Sequence, residues 1–286
     1  MRSDDWQLTE DLDDFLARGG DFLRSRPALH TVQLTVLEKL RTQGAAQQGA
    51  QSTLFGHLEQ KGKIQATFYR LPSRGLAPTP LTPEQADTLA AHLMDLGHSL
   101  PYVTADQRTA IAFAEAWQRH TGATPTFRVG LHLYRLGTLT PPEPAPEGRE
   151  RAAGEEDHEQ VAHWCHEFAA AVGEVLPDSW ADTRFADKRF TFWETPDGTP
   201  VSIAGSTEKI GGMVRVDPVY TPAHLRGRGY AGVVTVAVTR AALATGATDV
   251  VLFTDPANPA SNALYQRLGY DLITDWAVYD FEATAS

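Results

Sequence analysis

Val214-Arg215-Val216-Asp217-Pro218-Val219-Tyr220-Thr221-Pro222-Ala223-His224-Leu225-Arg226-Gly227-Arg228-Gly229-Tyr230-Ala231 is the stretch on which the reading of this 286-residue chain turns. Its first half alternates like a strand. A loop with two glycines follows, and then a long apolar helix carrying Val233, Val234, Val236, Ala237, Val238, Ala241 and Leu243. The first N–H groups of a helix have no partner inside it, and with no Cβ at Gly227 and Gly229 they are open to a diphosphate. Arg226 and Arg228 add mobile positive charge in a half of the chain that is otherwise acidic.

Two phosphate-binding patterns compete for this loop. Gly227-x-Gly229-x-x-Gly232 matches the spacing of a dinucleotide fingerprint, with Asp255 as ribose partner. In that motif the first glycine follows its strand almost at once, whereas here Thr221 to Arg226 stand between Tyr220 and Gly227. The other pattern is Arg226-x-x-Gly229-x-Ala231. One strand later comes Asn258-Pro259-Ala260-Ser261-Asn262-Ala263-Leu264-Tyr265-Gln266-Arg267-Leu268-Gly269-Tyr270. Together, in this order, the two segments resemble the acyl-coenzyme A loop and second signature of the GNAT N-acetyltransferase superfamily. The motifs cover residues 213–281.

The resemblance implies direct transfer of an acetyl group from acetyl-coenzyme A, as cosubstrate, to an acceptor that is usually an amine, on a small molecule or a peptide. It assigns the coenzyme to Val219, Tyr220, Thr221, Arg226, Gly227, Arg228, Gly229, Tyr230, Ala231, Asn258, Ser261 and Tyr265. The strand 213–220 would splay from 249–254, and the backbone N–H of Val219 would meet the thioester carbonyl. Tyr265 would protonate the departing thiolate, a task suited to a phenol of similar basicity; a half-buried helix tyrosine is the plain alternative. Asn258 would bond the pantetheine arm or simply cap the helix at Pro259. The rival from another functional class is a non-catalytic acyl-coenzyme A-binding or sensor protein.

The general base stays open between Asp217, Glu208, Asp255 and a water relay. His163 and His166, with Glu159, share a helix face at a spacing zinc could use, but without a fourth ligand they read as a solvated face, and no metal is expected. In the family this helix borders the acceptor, so His163, Trp164, Trp180 and Phe185 are candidates to touch it.

Further out, the chain reads as the same unit twice: helices, hairpin, helix, strand, helix, strand. The first half predicts helices at 9–24, 28–41, 83–96 and 106–120, a hairpin at 52–71 and strands at 101–104 and 126–136. The second half has helical spacing from Val161 to Leu176, strands at 189–194, 200–207, 213–220, 249–254 and 274–281, and helices at 229–245 and 259–268. Trp117-Gln118-Arg119 is echoed by Tyr265-Gln266-Arg267. The expected fold is mixed α/β, two tandem GNAT-like domains at 1–139 and 149–286 joined by a proline-rich linker at 140–148, an arrangement similar to mycothiol synthase. Aligning Gly97 with Gly246 sets Pro78 and Pro80, within a loop read at 76–83, opposite Gly227 and Gly229. The first copy is then degenerate, because proline has no N–H to offer a phosphate.

Composition agrees. Hydrophobic residues are 42% and charged residues 21%, an ordinary globular balance. Residues 1–137 hold 14 acidic and 14 basic side chains, so the net charge of −11 belongs to the second half and argues against nucleic acid. One cysteine, Cys165, excludes an internal disulfide and fits a cytoplasmic protein, and no segment suits a membrane. A monomer is expected, with a homodimer as the alternative.

Overall fold

A computed structural model describes residues 6–43, 53–71 and 75–282. In the first half the elements run β1 (Trp6–Thr9), α1 (Leu12–Arg24), α2 (Thr31–Gln43), β2 (Leu54–Gln60), β3 (Lys63–Leu71), β4 (Gly75–Pro78), α3 (Pro83–Asp95), β5 (Tyr102–Asp106), α4 (Gln107–Thr121) and β6 (Thr124–Leu136). In the second they run β7 (Arg149–Ala152), α5 (His158–Ala171), β8 (Arg189–Glu194), β9 (Pro200–Ser206), β10 (Met213–Tyr220), α6 (Tyr230–Ala244), β11 (Asp249–Thr254), α7 (Pro259–Arg267) and β12 (Tyr270–Glu282). Apart from α2, the two successions are the same. Among the described residues, no helix is long and apolar enough to cross a membrane.

Local chemistry explains where the helices begin. Asp11 accepts the Asp14 N–H at the start of α1. Thr82 and Gln85 form a reciprocal capping box on α3, with Pro83 at its first turn. Asp106 accepts the Thr109 N–H on α4, which ends at Gly122 in the left-handed region. Each cap satisfies backbone groups the helix cannot satisfy itself. The sequence reading placed a loop over 76–83, but Gly75–Pro78 is a strand paired with β3, Phe68 opposite Pro78.

The chain divides into two compact units, one running to Leu133 and taking up the residues from Ile273 on, the other comprising Tyr134–Leu272. The boundary expected at 140–148 does not coincide with this division. The physical reason is that β6 and β12, thirteen residues each, both continue from one unit into the other.

In the first unit the strand order is β1-β2-β3-β4-β5-β12-β6, and β12 pairs antiparallel with β5 from Trp276↔Asp106 to Asp280↔Tyr102. Its core gathers Leu58, Phe68, Leu76, Leu89, Leu93, Val103, Phe113 and Trp117, with Phe281 of β12 packed against it. In the second unit the order is β7-β8-β9-β10-β11-β6. One face of that sheet packs Val214, Val216, Val234, Val238, Leu252 and Leu268 under α6 and α7. The other packs Ile203, Phe192 and Tyr220 against Val161, Trp164 and Cys165 of α5 and against Phe185. The proline-rich segment lies on the second unit rather than spanning free. Thr140 N–H donates to the Leu268 carbonyl at 3.0 Å, and the Trp193 indole donates to the Glu147 carbonyl at 3.4 Å.

Candidate active site

Strand β10 carries the irregularity around which the site is built. It pairs in parallel with β11 from Met213↔Asp249 to Arg215↔Val251 and continues five residues past that last pair. On its other edge, β10 advances from Val216 to Val219 while β9 moves only from Ser206 to Ala204. One extra residue in a strand is a β-bulge, and it shifts the alternation of side chains by one. Val219 therefore packs toward the α6 face while Tyr220 packs toward α5. Gly205 sits under the bulge. A Cβ there would lie 2.7 Å from the Asp217 carbonyl oxygen and 2.9 Å from Pro218 Cδ, so only glycine fits.

Beyond Tyr220 the chain turns through Thr221–Gly229 into α6. Gly227 and Gly229 have φ of 77° and 83°, the left-handed region that side chains disfavour. Gly229 is the N-cap of α6 and offers no side-chain acceptor, so no capping side chain takes up the first-turn N–H groups that the helix itself cannot satisfy. At the corresponding point of the first unit, Thr82 and Gln85 occupy the start of α3. Topology thus sets Thr82, not Pro80, against Gly229, and puts Pro78 inside β4.

Arg226, expected to be mobile, is anchored: its Nε donates to the Thr221 carbonyl at 2.9 Å and its guanidinium stands 5.9 Å from the Tyr220 ring centre. Thr221 is held by Ser202, hydroxyl to hydroxyl at 2.8 Å. Arg228 reaches the His224 carbonyl at 3.4 Å. On the other side of the loop, Asn258 caps α7, its Oδ1 accepting the Ser261 N–H at 3.1 Å. The local wiring runs through Asn262, which sequence reasoning passed over. Its Nδ2 donates to the carbonyls of Asp255 and Asn258, and its Oδ1 accepts from Thr254 and from Tyr134.

Tyr265 is 7% exposed, edge-on to Tyr270 at 6.1 Å between ring centres. No group among the described residues accepts its proton. Burial raises its pKa well above the usual phenol range, with smaller contributions from Tyr270 and the Asp217 charge.

The three carboxylates considered as bases are differently placed. Asp217 is ion-paired with both Lys188 and Arg184. Burial alone would raise its pKa, but the charges of Lys188, Arg184 and Arg215 outweigh it and hold the carboxyl well below the usual range. Burial also pushes the Lys188 amine down to about 8, with Asp217 opposing. Glu208 pairs with Arg189 on the exposed surface. Asp255 Oδ1 accepts the Ala257 N–H at 2.7 Å, a turn role.

On α5, His163 is exposed and lies 3.8 Å from Glu167, while His166 contacts the Ala162 carbonyl at 2.7 Å. Glu159, at the helix's first turn, is exposed. Trp164 is edge-on to Phe192, and Trp180 stacks on the buried Phe185. Sequence reasoning missed Glu167, which accepts the Tyr220 hydroxyl at 3.0 Å, and the pair Arg184 and Lys188. No motif marks any of these three. Their partners lie 29 to 53 residues away in the chain.

Comparisons with known proteins bear on this arrangement. The model of the FR47-like protein family matches residues 207–279, from β10 through most of β12. Among solved structures, a GCN5-related N-acetyltransferase from Sphaerobacter thermophilus is 16% identical with a TM-score of 0.57, covering 98% of this chain and 96% of that one. An acetyltransferase of the GNAT family from Colwellia psychrerythraea is 13% identical with a TM-score of 0.57, covering 97% and 99%. A tandem GNAT protein from the clavulanic acid biosynthesis pathway is 13% identical, also with a TM-score of 0.57, covering 98% and 99%. No protein of curated function matches the chain. At these identities the likeness is one of fold, and the fold is a mixed α/β GNAT fold in tandem.

Proposed function

We propose that this tandem GNAT-fold chain is an N-acetyltransferase that uses acetyl-coenzyme A in its second copy, the first copy being degenerate toward the coenzyme. The observation that carries the reading is the start of α6. It is a helix N-terminus capped by a left-handed glycine with no side-chain acceptor, and it follows a bulged strand that leaves its parallel neighbour. The corresponding helix of the first unit has its own Thr82 cap in that place, which supports a single coenzyme site per chain.

The residues fit the group. Gly227, Gly229, Tyr230 and Ala231 would offer backbone N–H groups to the diphosphate, with Arg228 beside them, while Arg226 fixes the loop by its bond to Thr221. Val219 would donate its N–H to the thioester carbonyl, and Asn258 and Ser261 would flank the pantetheine arm. Bound acetyl-coenzyme A supplies an acyl group activated as a thioester. Tyr265 would give its proton to the departing thiolate, and burial makes it hold that proton more tightly than a solvated phenol does. The acceptor is an amine on a small molecule or peptide, and its proton leaves through water, since Asp217 is committed to Lys188 and Arg184.

Calorimetric titration tests this directly. The wild type is expected to bind acetyl-coenzyme A once per chain. Gly229→Pro, which removes a donor and forbids the positive φ, should abolish binding in a folded protein. Two equivalent sites, or unchanged affinity in the variant, would refute the assignment. Binding without thiol release against a broad amine library would point to an acyl-coenzyme A-binding protein instead.

A further inference from the structure

A bulge leaves its extra residue without a partner in the ladder and bends the strand, so contacts other than ladder pairing must fix its geometry. In β10 two separate devices do so. From the β9 side, the bare Cα of Gly205 lets the Asp217 and Pro218 backbone come within contact distance. The Asp217 side chain is held separately, its carboxylate gripped by Lys188 and Arg184.

The grip is itself braced. Arg184 is bound at 2.9 Å to Glu174, just past the end of α5, and its guanidinium lies 4.2 Å from the Phe185 ring centre. Lys188 lies 5.0 Å from the same ring and is 4% exposed. Both cations come from the segment between α5 and β8. With Glu174 the cluster holds two carboxylates and two cations, and the two cations on Asp217 leave it nothing to do as a base.

We propose that Asp217 is a positioning residue, which, through Arg184 and Lys188, fixes the bulge of β10 so that the Val219 N–H is aimed at the thioester carbonyl. This rests on the reading of Val219 as the carbonyl donor. If it holds, loosening the clamp affects recognition of the acetyl group and spares recognition of the coenzyme, whose diphosphate is held at α6. A merely structural ion cluster would lower stability and leave the preference between the two ligands unchanged.

The experiment is a paired titration with coenzyme A and acetyl-coenzyme A on the wild type, Asp217→Asn, Arg184→Gln and Gly205→Ala. The expected result is coenzyme A affinity within about twofold of wild type, and acetyl-coenzyme A affinity lowered about 3- to 10-fold, the net worth of one hydrogen bond. Gly205→Ala presses on the backbone of the same bulge without touching the ion pairs and should give the same split. Equal loss for both ligands, or no loss, in folded variants overturns the proposal while the coenzyme site stands. A wild type that binds neither ligand overturns the coenzyme site itself. Arg184 is about one-third exposed and its removal leaves Lys188 on Asp217, so Arg184→Gln decides the matter if Asp217→Asn fails to fold.

Discussion

In Tyr265 and Cys165 burial is the largest influence on the acidity of the side chain. Burial raises the Tyr265 pKa still further above the neutral range, because the ionised form would be desolvated. Tyr265→Phe keeps the ring packing and removes only the proton. The rate constant of transfer in single turnover should fall roughly 10²–10⁴-fold, the worth of a positioned acid, with acetyl-coenzyme A affinity little changed. Wild-type rates in a folded variant would rule out this role. Cys165 is fully buried, and its thiol is pushed up to about 12, chiefly by burial, against the opposing charge of Lys188. Ellman's reagent at pH 8 should find no reactive thiol in the native protein and one equivalent after denaturation. Asp217 has the opposite sign. Its folded pKa is depressed, so the unfolded chain binds the proton more readily, and the stability it confers is lost as pH falls below about 4. Thermal melts of the wild type should therefore drop more steeply on acidification than those of Asp217→Asn, and parallel curves would exclude the cluster as the cause.

At the scale of elements, what could be read from the sequence was what is specified locally. Thr82 with Gln85, Asp106 with Gly122, and Asn258 before Pro259 mark helix ends through bonds no more than four residues long, and those helices were legible. Strands β1, β4 and β7, four residues each, were not. Their existence depends on pairing with strands that the local pattern does not name, and β4 was hidden by its terminal proline. The site divides in the same way. Gly229, Val219 and Tyr265 sit in a readable motif, whereas the Arg184 and Lys188 grip on Asp217 exists only once the chain has folded back on itself. The turn from α7 into β12 offers a sharp test of local geometry. Gly269 has φ of 91°, and a Cβ would fall 1.8 Å from the Thr138 carbonyl oxygen, a backbone atom that cannot step aside. Gly269→Ala should cost about 2–4 kcal/mol in urea denaturation, and a loss below about 0.5 kcal/mol would contradict the close packing of Thr138 on this turn.

At the scale of the whole molecule, the two repeats of the sequence are not the two units of the structure. Residues from Ile273 on complete the first unit, supplying Trp276 and Ala277 to its interior, and Asp280 binds Arg128. The end of β6 serves the second unit, where the Tyr134 hydroxyl donates to Asn262. Fragments cut at the proline-rich segment, 1–139 and 149–286, are therefore expected to lack native circular dichroism when each is made alone. A cooperative melt of isolated 1–139 would contradict this. The shared strands also impose an order in time. A ribosome delivers residues in sequence at ~5–20 per second, and the first unit meets its missing strand only after all of 134–272 has been made. For on the order of ten seconds the half that emerged first is held open, while the half that emerged second already has every residue it needs, so the later-born unit is the one equipped to finish first.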